Sequence, residues 1–171
     1  NACSKGLQWN RTITLFDELI NQKKEPDGMS FATCITANGN ASFWQRSLGL
    51  FHQMQRKMKA DLVSFTSIIH ACGMGFAWQM SMKFLSDLKV YDLRPNVTTY
   101  GAAVAACERG STWPTALAIL KQMEWDQCHP NTISIGSSLV ACQKALQWQR
   151  ATKLMQHFGL EDRVRPESHI G

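Results

Sequence analysis

Residues 97–131 read VTTYGAAVAACERGSTWPTALAILKQMEWDQCHPN, a phrase that recurs in outline along the chain. Within it, Tyr100, Ala103, Val104 and Cys107 stand at offsets of 3, 4 and 7, which is one stripe of an α-helix. Phe65, Ile68, Ile69 and Cys72 draw the same stripe one phrase earlier. A break follows, with Gly110, and Gly75 before it, expected as the helix-ending residues. A second stripe opens at Trp113 and continues through Leu117, Leu120 and Met123. Pro114 falls in the first turn of that helix, where the missing N–H is harmless. Pro130-Asn131 then turns the chain into the next phrase. The phrase therefore encodes two helices, the first expected over about Thr99–Cys107, and over about Ser30–Asn38 in an earlier copy.

Outward from this stretch the same marks keep time. Trp9, Trp44, Trp78, Trp113 and Trp148 are 35, 34, 35 and 35 residues apart, and of the six tryptophans only Trp125 is out of step. Cys3, Cys72, Cys107 and Cys142 share one slot, which Asn38 fills in the remaining copy. Phe31, Phe65, Tyr100 and Ile135 share another. Turn pairs recur at Pro26-Asp27, Ala60-Asp61, Pro95-Asn96 and Pro130-Asn131, and Pro166-Glu167 arrives one residue late. The units are drawn at 28–61, 62–96, 97–131 and 132–167, with a short tail at 168–171. Residues 1–27 are expected to be the end of an earlier unit, its first helix cut to Asn1-Ala2-Cys3 and its second starting at Trp9. A hairpin of this size cannot bury its own stripes, so copies must stack. The expected fold is all-α: a right-handed α-solenoid of stacked helix-turn-helix repeats, forming one continuous domain.

Composition is consistent with that picture. The chain has 171 residues, 44% hydrophobic and 18% charged, enough apolar material for a core and too little charge for a disordered tail. Its formal net charge is +5, which permits an anionic partner without requiring one. No apolar run approaches the roughly 18 residues of a membrane span. The visible chain opens at Asn1 with no signal-peptide pattern, so any targeting segment is expected upstream of it.

The 35-residue hairpin, its early aromatic and its closing Pro-Asp or Pro-Asn resemble the pentatricopeptide repeat family, over nearly the whole chain. The phrase Ala106-Cys107-Glu108-Arg109-Gly110 through Trp113, and Ala2-Cys3-Ser4-Lys5-Gly6 through Trp9, looks like the variety abundant in dinoflagellate algae. Tetratricopeptide repeats put their Trp early in the first helix, whereas here it opens the second. The resemblance implies a single-stranded RNA-binding protein acting in organellar RNA processing, stability or translation, in chloroplast or mitochondrion, with one base read per repeat. It implies base reading by the residue after the early aromatic together with the last residue of the unit. The pairs are Ala32 with Asp61, Thr66 with Asn96, Gly101 with Asn131, and Gly136 with Glu167. Thr66 with Asn96 matches a family pair that suggests adenine. Ala32, Gly101 and Gly136 bring no polar side chain. The resemblance also implies clamping of base faces by Met29, Val63 and Ile133, with Thr98 at the same position, and phosphate contacts near the end of each first helix. Those last positions are Lys5, Asn40, Met74, Arg109 and Lys144, of which Lys5, Arg109 and Lys144 are basic. Three rungs predict a salt slope of only about −2 on single strands.

Other chemistry finds little support. No Cys-x-x-Cys occurs, and stacked cysteines roughly 9–10 Å apart are beyond disulfide reach. They are expected as small buried residues, as is Cys34, while Cys128-His129 reads as a surface turn. The periodic tryptophans are expected in the core, and Trp125 at the surface. His52, His70, His129, His157 and His169 neither recur with the repeat nor pair with a carboxylate at helical spacing. No phosphate loop or nucleophile elbow is present. The chain is expected to work by binding alone, without enzyme activity, metal or cofactor. The competing expectation is a scaffold: an accessory subunit of a large organellar assembly, such as a ribosome or a photosynthetic complex, binding protein subunits in place of RNA.

Overall fold

The computed structural model describes residues 2–21 and 26–159, with side chains from residue 10 onward. Among the described residues there are nine helices and no strand: α1 (Ala2–Asn21), α2 (Gly28–Asn40), α3 (Trp44–Lys57), α4 (Leu62–Met74), α5 (Trp78–Val90), α6 (Val97–Arg109), α7 (Trp113–Trp125), α8 (Thr132–Lys144) and α9 (Trp148–His157). The leading helices α2, α4, α6 and α8 pack in a row, each on the next. Each trailing helix α3, α5 and α7 bridges its own leading helix and the one after it. This is the all-α solenoid of stacked helix pairs.

The leading helices outrun the hydrophobic stripe that revealed them. α2 starts at Gly28 and α6 at Val97, two residues before Ser30 and Thr99, because the cap lies further back. Asp27, Asp61, Asn96 and Asn131 are the N-cap residues, and each side chain accepts the backbone N–H three residues on. The residue read as the end of one unit is thus the cap of the next helix.

The leading helices end in Schellman motifs. The N–H of Phe43, Ala77, Thr112 and Gln147 reaches the carbonyl of Asn38, Cys72, Cys107 and Cys142, one turn and more back. The left-handed residue in each is Ser42, Phe76, Ser111 or Leu146, with φ between 54° and 63°. Gly75 and Gly110 do end their helices, but with φ of −87° and −76°. Their reason is space, not conformation. A Cβ on Gly75 would run into the Trp44 ring, and one on Gly110 into the Trp78 ring.

That contact also revises the place of the tryptophans. Trp44, Trp78 and Trp113 are half-buried staples between layers, not core. Trp44 and Trp78 lie against the leading helix of the following layer, and Arg150 covers the Trp113 ring at 5.9 Å. Trp148 is 70% exposed, since no described side chain covers it. The core is built instead from Phe31, Ile35, Phe51, Phe65, Ile68, Leu88, Tyr100 and Val104. Edge-to-face pairs run through it, with Phe16–Phe31 and Phe51–Phe65 both at 5.2 Å and Phe65–Tyr91 at 5.0 Å.

Small residues let the leading helices close on one another. A Cβ on Gly39 would come within 2.6 Å of Ala71 Cα, and one on Gly73 within 2.8 Å of Ala106 Cβ. Buried Ser47 and Ser81 donate to the carbonyls of Ile35 and Ile69, both at 2.9 Å, tying trailing helix to leading helix. Cys34, Cys72, Cys107 and Cys142 are buried free thiols. Burial pushes the thiols of Cys34 and Cys72 up to about 11 and about 12.

α1 departs from expectation. It runs unbroken from Ala2 to Asn21 through the Lys5-Gly6 step, where the repeat predicts a turn before Trp9. Leu7, at the slot where Ser42, Phe76, Ser111 and Leu146 take positive φ, stays within the helix there.

Candidate nucleic-acid interface

The row of leading helices carries an exposed stripe along its length. Met29, Val63 and Ile133, near the helix starts, are 66%, 49% and 70% exposed, and Thr98 is exposed between them. Three apolar side chains in open solvent at one repeat position have no core to serve. They are available to lie against a flat apolar face.

Beside this stripe stand the caps. Asn96 Oδ1 accepts from both the N–H and the hydroxyl of Thr99, each at 2.9 Å. Thr99 Oγ1 in turn lies 2.8 Å from Thr66 Oγ1, on the preceding leading helix. The predicted pair Thr66 and Asn96, 30 residues apart in sequence, therefore belongs to one hydrogen-bonded chain whose middle member is fully buried. Asp61 is held in the same way, by the N–H and hydroxyl of Ser64 at 2.8 and 2.6 Å. Asn131 differs. It accepts the Ser134 N–H at 2.9 Å, while the Ser134 hydroxyl turns to the Asn131 backbone and closes a capping box.

The partner positions are less well furnished. Ala32 is only 3% exposed, sealed into the core side of α2, so it cannot meet a base. Gly101 and Gly136 are half-buried, with nothing beyond their own stretch of helix within 4 Å of where a Cβ would stand. Glu167 lies outside the described residues, as does the side chain of Lys5.

At the other end of the leading helices are the phosphate candidates. Arg109 closes α6 and is exposed; Asn40, also exposed, closes α2; half-buried Met74 closes α4. Lys144 closes α8, but its Nζ lies 3.3 Å from the Glu108 carbonyl and 3.5 Å from its carboxylate. Part of that charge is thus already answered, in an exposed pair of small worth. A cation at a helix C-terminus is also favoured by the helix dipole, ligand or no ligand.

Sequence reasoning overlooked two groups. The first is the residue three past each cap, Ser64, Thr99 and Ser134, all buried. Its signal was present as a Ser or Thr following Asp or Asn at capping-box spacing. The second is His70, half-buried on α4, whose Nδ1 has no hydrogen-bond partner among the described residues. Burial first, and then the Arg109 charge, hold its pKa below the ordinary 6.5. Among the described residues no three His, Cys, Asp or Glu side chains gather as a metal site, and no helix is long and apolar enough to cross a membrane.

Away from the leading row, Trp125 is 83% exposed at the end of α7 and lines an open cleft with Lys89 and Arg94.

Comparison with known proteins agrees with this architecture. The pentatricopeptide repeat domain profile matches residues 49–109 and 83–142, together more than half of the chain. A chloroplastic pentatricopeptide repeat-containing protein of Arabidopsis thaliana is 24% identical over 90 residues, a match that covers 52% of this chain and 11% of that protein. Among solved structures, the pentatricopeptide repeat protein PPR10 in complex with an 18-nucleotide psaJ RNA element superposes with a TM-score of 0.73 at 20% identity, over 85% of this chain and 23% of that one. The pentatricopeptide repeat domain of Arabidopsis thaliana protein-only RNase P 1, in complex with tRNA, superposes with a TM-score of 0.74 at 19% identity, over 98% of this chain and 88% of that one. The chain belongs to the pentatricopeptide repeat family.

Proposed function

We propose that the chain binds single-stranded RNA along the row of leading helices, in organellar RNA processing, stability or translation, and that it acts by binding alone. The observation that carries this reading is the joining of Thr66 and Asn96 through Thr99, beside the exposed apolar stripe. A base edge meeting Asn96 and Thr66 would have its faces between Val63 and Thr98, the stripe residues on the same two leading helices. Asp61 and Asn131 offer polar edges in the neighbouring layers, without a polar partner from Ala32 or Gly101. Gly101 and Gly136 then leave room for a base without selecting one, and the sealed Ala32 takes no part. Phosphates meet Arg109, Lys144 and Lys5. Solved structures of similar fold in complex with RNA support this reading. The chloroplastic relative supports an organellar location. A filter-binding titration against pooled single-stranded RNA at low salt tests it; retention at micromolar protein is expected, and no retention would defeat the proposal for this segment.

A scaffold role, binding protein subunits of a larger organellar assembly, has one specific observation in its favour. Val90 and Trp125 occupy the same repeat position at the ends of α5 and α7, and both are more than four-fifths exposed. Stoichiometric co-purification with protein after nuclease treatment would favour that reading.

A further inference from the structure

We infer that Thr99 is a specificity-determining positioning residue: fully buried and touching no ligand, it dictates which polar atoms Asn96 and Thr66 show to a base. This rests on the proposed reading of RNA by that pair, and extends it to a residue behind the surface.

The hydroxyl protons here are fewer than the contacts they serve. Thr66 Oγ1 lies 2.8 Å from the Leu62 carbonyl and 2.8 Å from Thr99 Oγ1; Thr99 Oγ1 lies 2.9 Å from Asn96 Oδ1. Three oxygen–oxygen contacts share two hydroxyl protons, and the Leu62 and Asn96 oxygens can only accept. Any placement serves two of the three contacts: Thr66 donates to Leu62 and Thr99 to Asn96, or Thr66 to Thr99 and Thr99 to Asn96, or Thr66 to Leu62 and Thr99 to Thr66. In all three, the Thr66 proton points inward, so Thr66 offers a base an acceptor and not a donor. The Thr99 N–H, joined by its hydroxyl wherever that donates to Asn96, holds Asn96 Oδ1 inward at 2.9 Å, so Asn96 offers its Nδ2 donor. One buried residue thereby gives this layer a defined donor–acceptor pair.

The neighbouring layers supply the contrast. At Asp61 the Ser64 N–H and hydroxyl occupy one carboxylate oxygen and leave the other facing out, an acceptor-only edge. At Asn131 the Ser134 hydroxyl is spent on the backbone, and Gly101 provides no second group, so that amide is held by a single N–H. The residue three past the cap therefore sets three different edges in three layers, and the inner wall is selective chiefly at Asn96.

Two measurements on the intact chain test this, one of them independent of RNA. In the first, the side-chain amide of Asn96 is followed by NMR in the free protein. Thr99→Val keeps the shape and the N–H but removes the hydroxyl; the Asn96 side chain should then average over rotamers, Thr99→Ser should restore its order, and Ser134→Ala should leave Asn131 unchanged. An Asn96 side chain as ordered in Thr99→Val as in the parent overturns the inference, whatever RNA does. In the second, binding is compared for single-stranded RNAs differing only at the base facing Asn96. The parent should separate the best base from the worst by about tenfold, and Thr99→Val should bring this down to about twofold, with Thr99→Ser close to the parent. Undiminished discrimination in Thr99→Val also overturns it. Failure of the parent to bind any single strand would sink the RNA reading itself, leaving the amide measurement to decide whether Thr99 positions Asn96.

Discussion

Gly110 and Gly101 are both glycines of the third unit, yet the structure asks opposite things of them. A methyl group on Gly110 would enter the Trp78 ring, while Gly101 faces open space in mid-helix. Gly110→Ala should therefore cost about 1–3 kcal/mol through overpacking. Gly101→Ala should be neutral or stabilising by up to about 1 kcal/mol, because Ala is the better helix former. Urea denaturation of the two variants against the parent checks both signs at once. His70 makes a prediction in pH. Its folded-state pKa is depressed by burial and Arg109, so below pH 6.5 the unfolded chain takes up a proton there that the folded chain resists. The stability His70 contributes is present above that value and is lost as pH falls through its folded pKa. Melting temperatures taken from pH 7.5 down to pH 5 should drop more steeply for the parent than for His70→Val, which also removes the unpartnered Nδ1. Parallel curves would show that His70 titrates freely. At this scale the sequence was uneven in what it revealed. Cap residues at Asp27, Asp61, Asn96 and Asn131 stood out as turn signals, though their capping role emerged only with the helices they start. The pairing of Lys144 with Glu108 and the sealing of Ala32 depend on neighbours a unit away, which spacing alone does not place.

Helices of 13 residues that end in a left-handed residue recur through the molecule, and it is seldom glycine that ends them. Phe76, Ser111 and Leu146 hold φ near +60° at about 1–2 kcal/mol each, kept there by the Schellman bonds behind them. Leu146 is mostly exposed and packs on little. Leu146→Gly should thus raise stability by about 0.5–1 kcal/mol, after allowing for the greater freedom of glycine in the unfolded chain. A thermal melt giving a lower midpoint for the variant would contradict this account of the turn. Element existence was legible from periodicity: every Trp in the 35-residue series from Trp44 on opens a trailing helix. Element ends were not, because apolar stripes mark what is buried, and the first turn of α2 and α6 is set by a polar cap outside the stripe. The unbroken α1 was missed for a related reason. Its sequence carries the same phrase as the later turns, and only the choice between a left-handed Leu7 and continued helix separates them.

Across the whole molecule, stacking turns a local pattern into a surface. Because Gly39 against Ala71 and Gly73 against Ala106 allow close approach, the leading helices stand side by side and bring Met29, Val63 and Ile133 onto one wall. That wall followed from the repeat alone, since residues at one repeat position must align once the copies stack. The half-buried station of the tryptophans did not, as their offsets to Leu and Met are the same for a core residue and for a staple between layers. If the wall takes RNA, affinity should fall with salt at a slope of about −2, and Arg109→Gln should flatten it by about 0.7. An unchanged slope in that variant would remove Arg109 from the phosphate path. The central claim is that single-stranded RNA lies on the leading helices and not on the ends of the trailing ones. Hydroxyl-radical footprinting with and without RNA reads both surfaces in one sample, since Met29 on the wall and Trp125 off it are each reactive and exposed. RNA should protect Met29, Val63 and Ile133 and leave Trp125 and Val90 as they were; protection of Trp125 with Met29 unchanged would contradict the account.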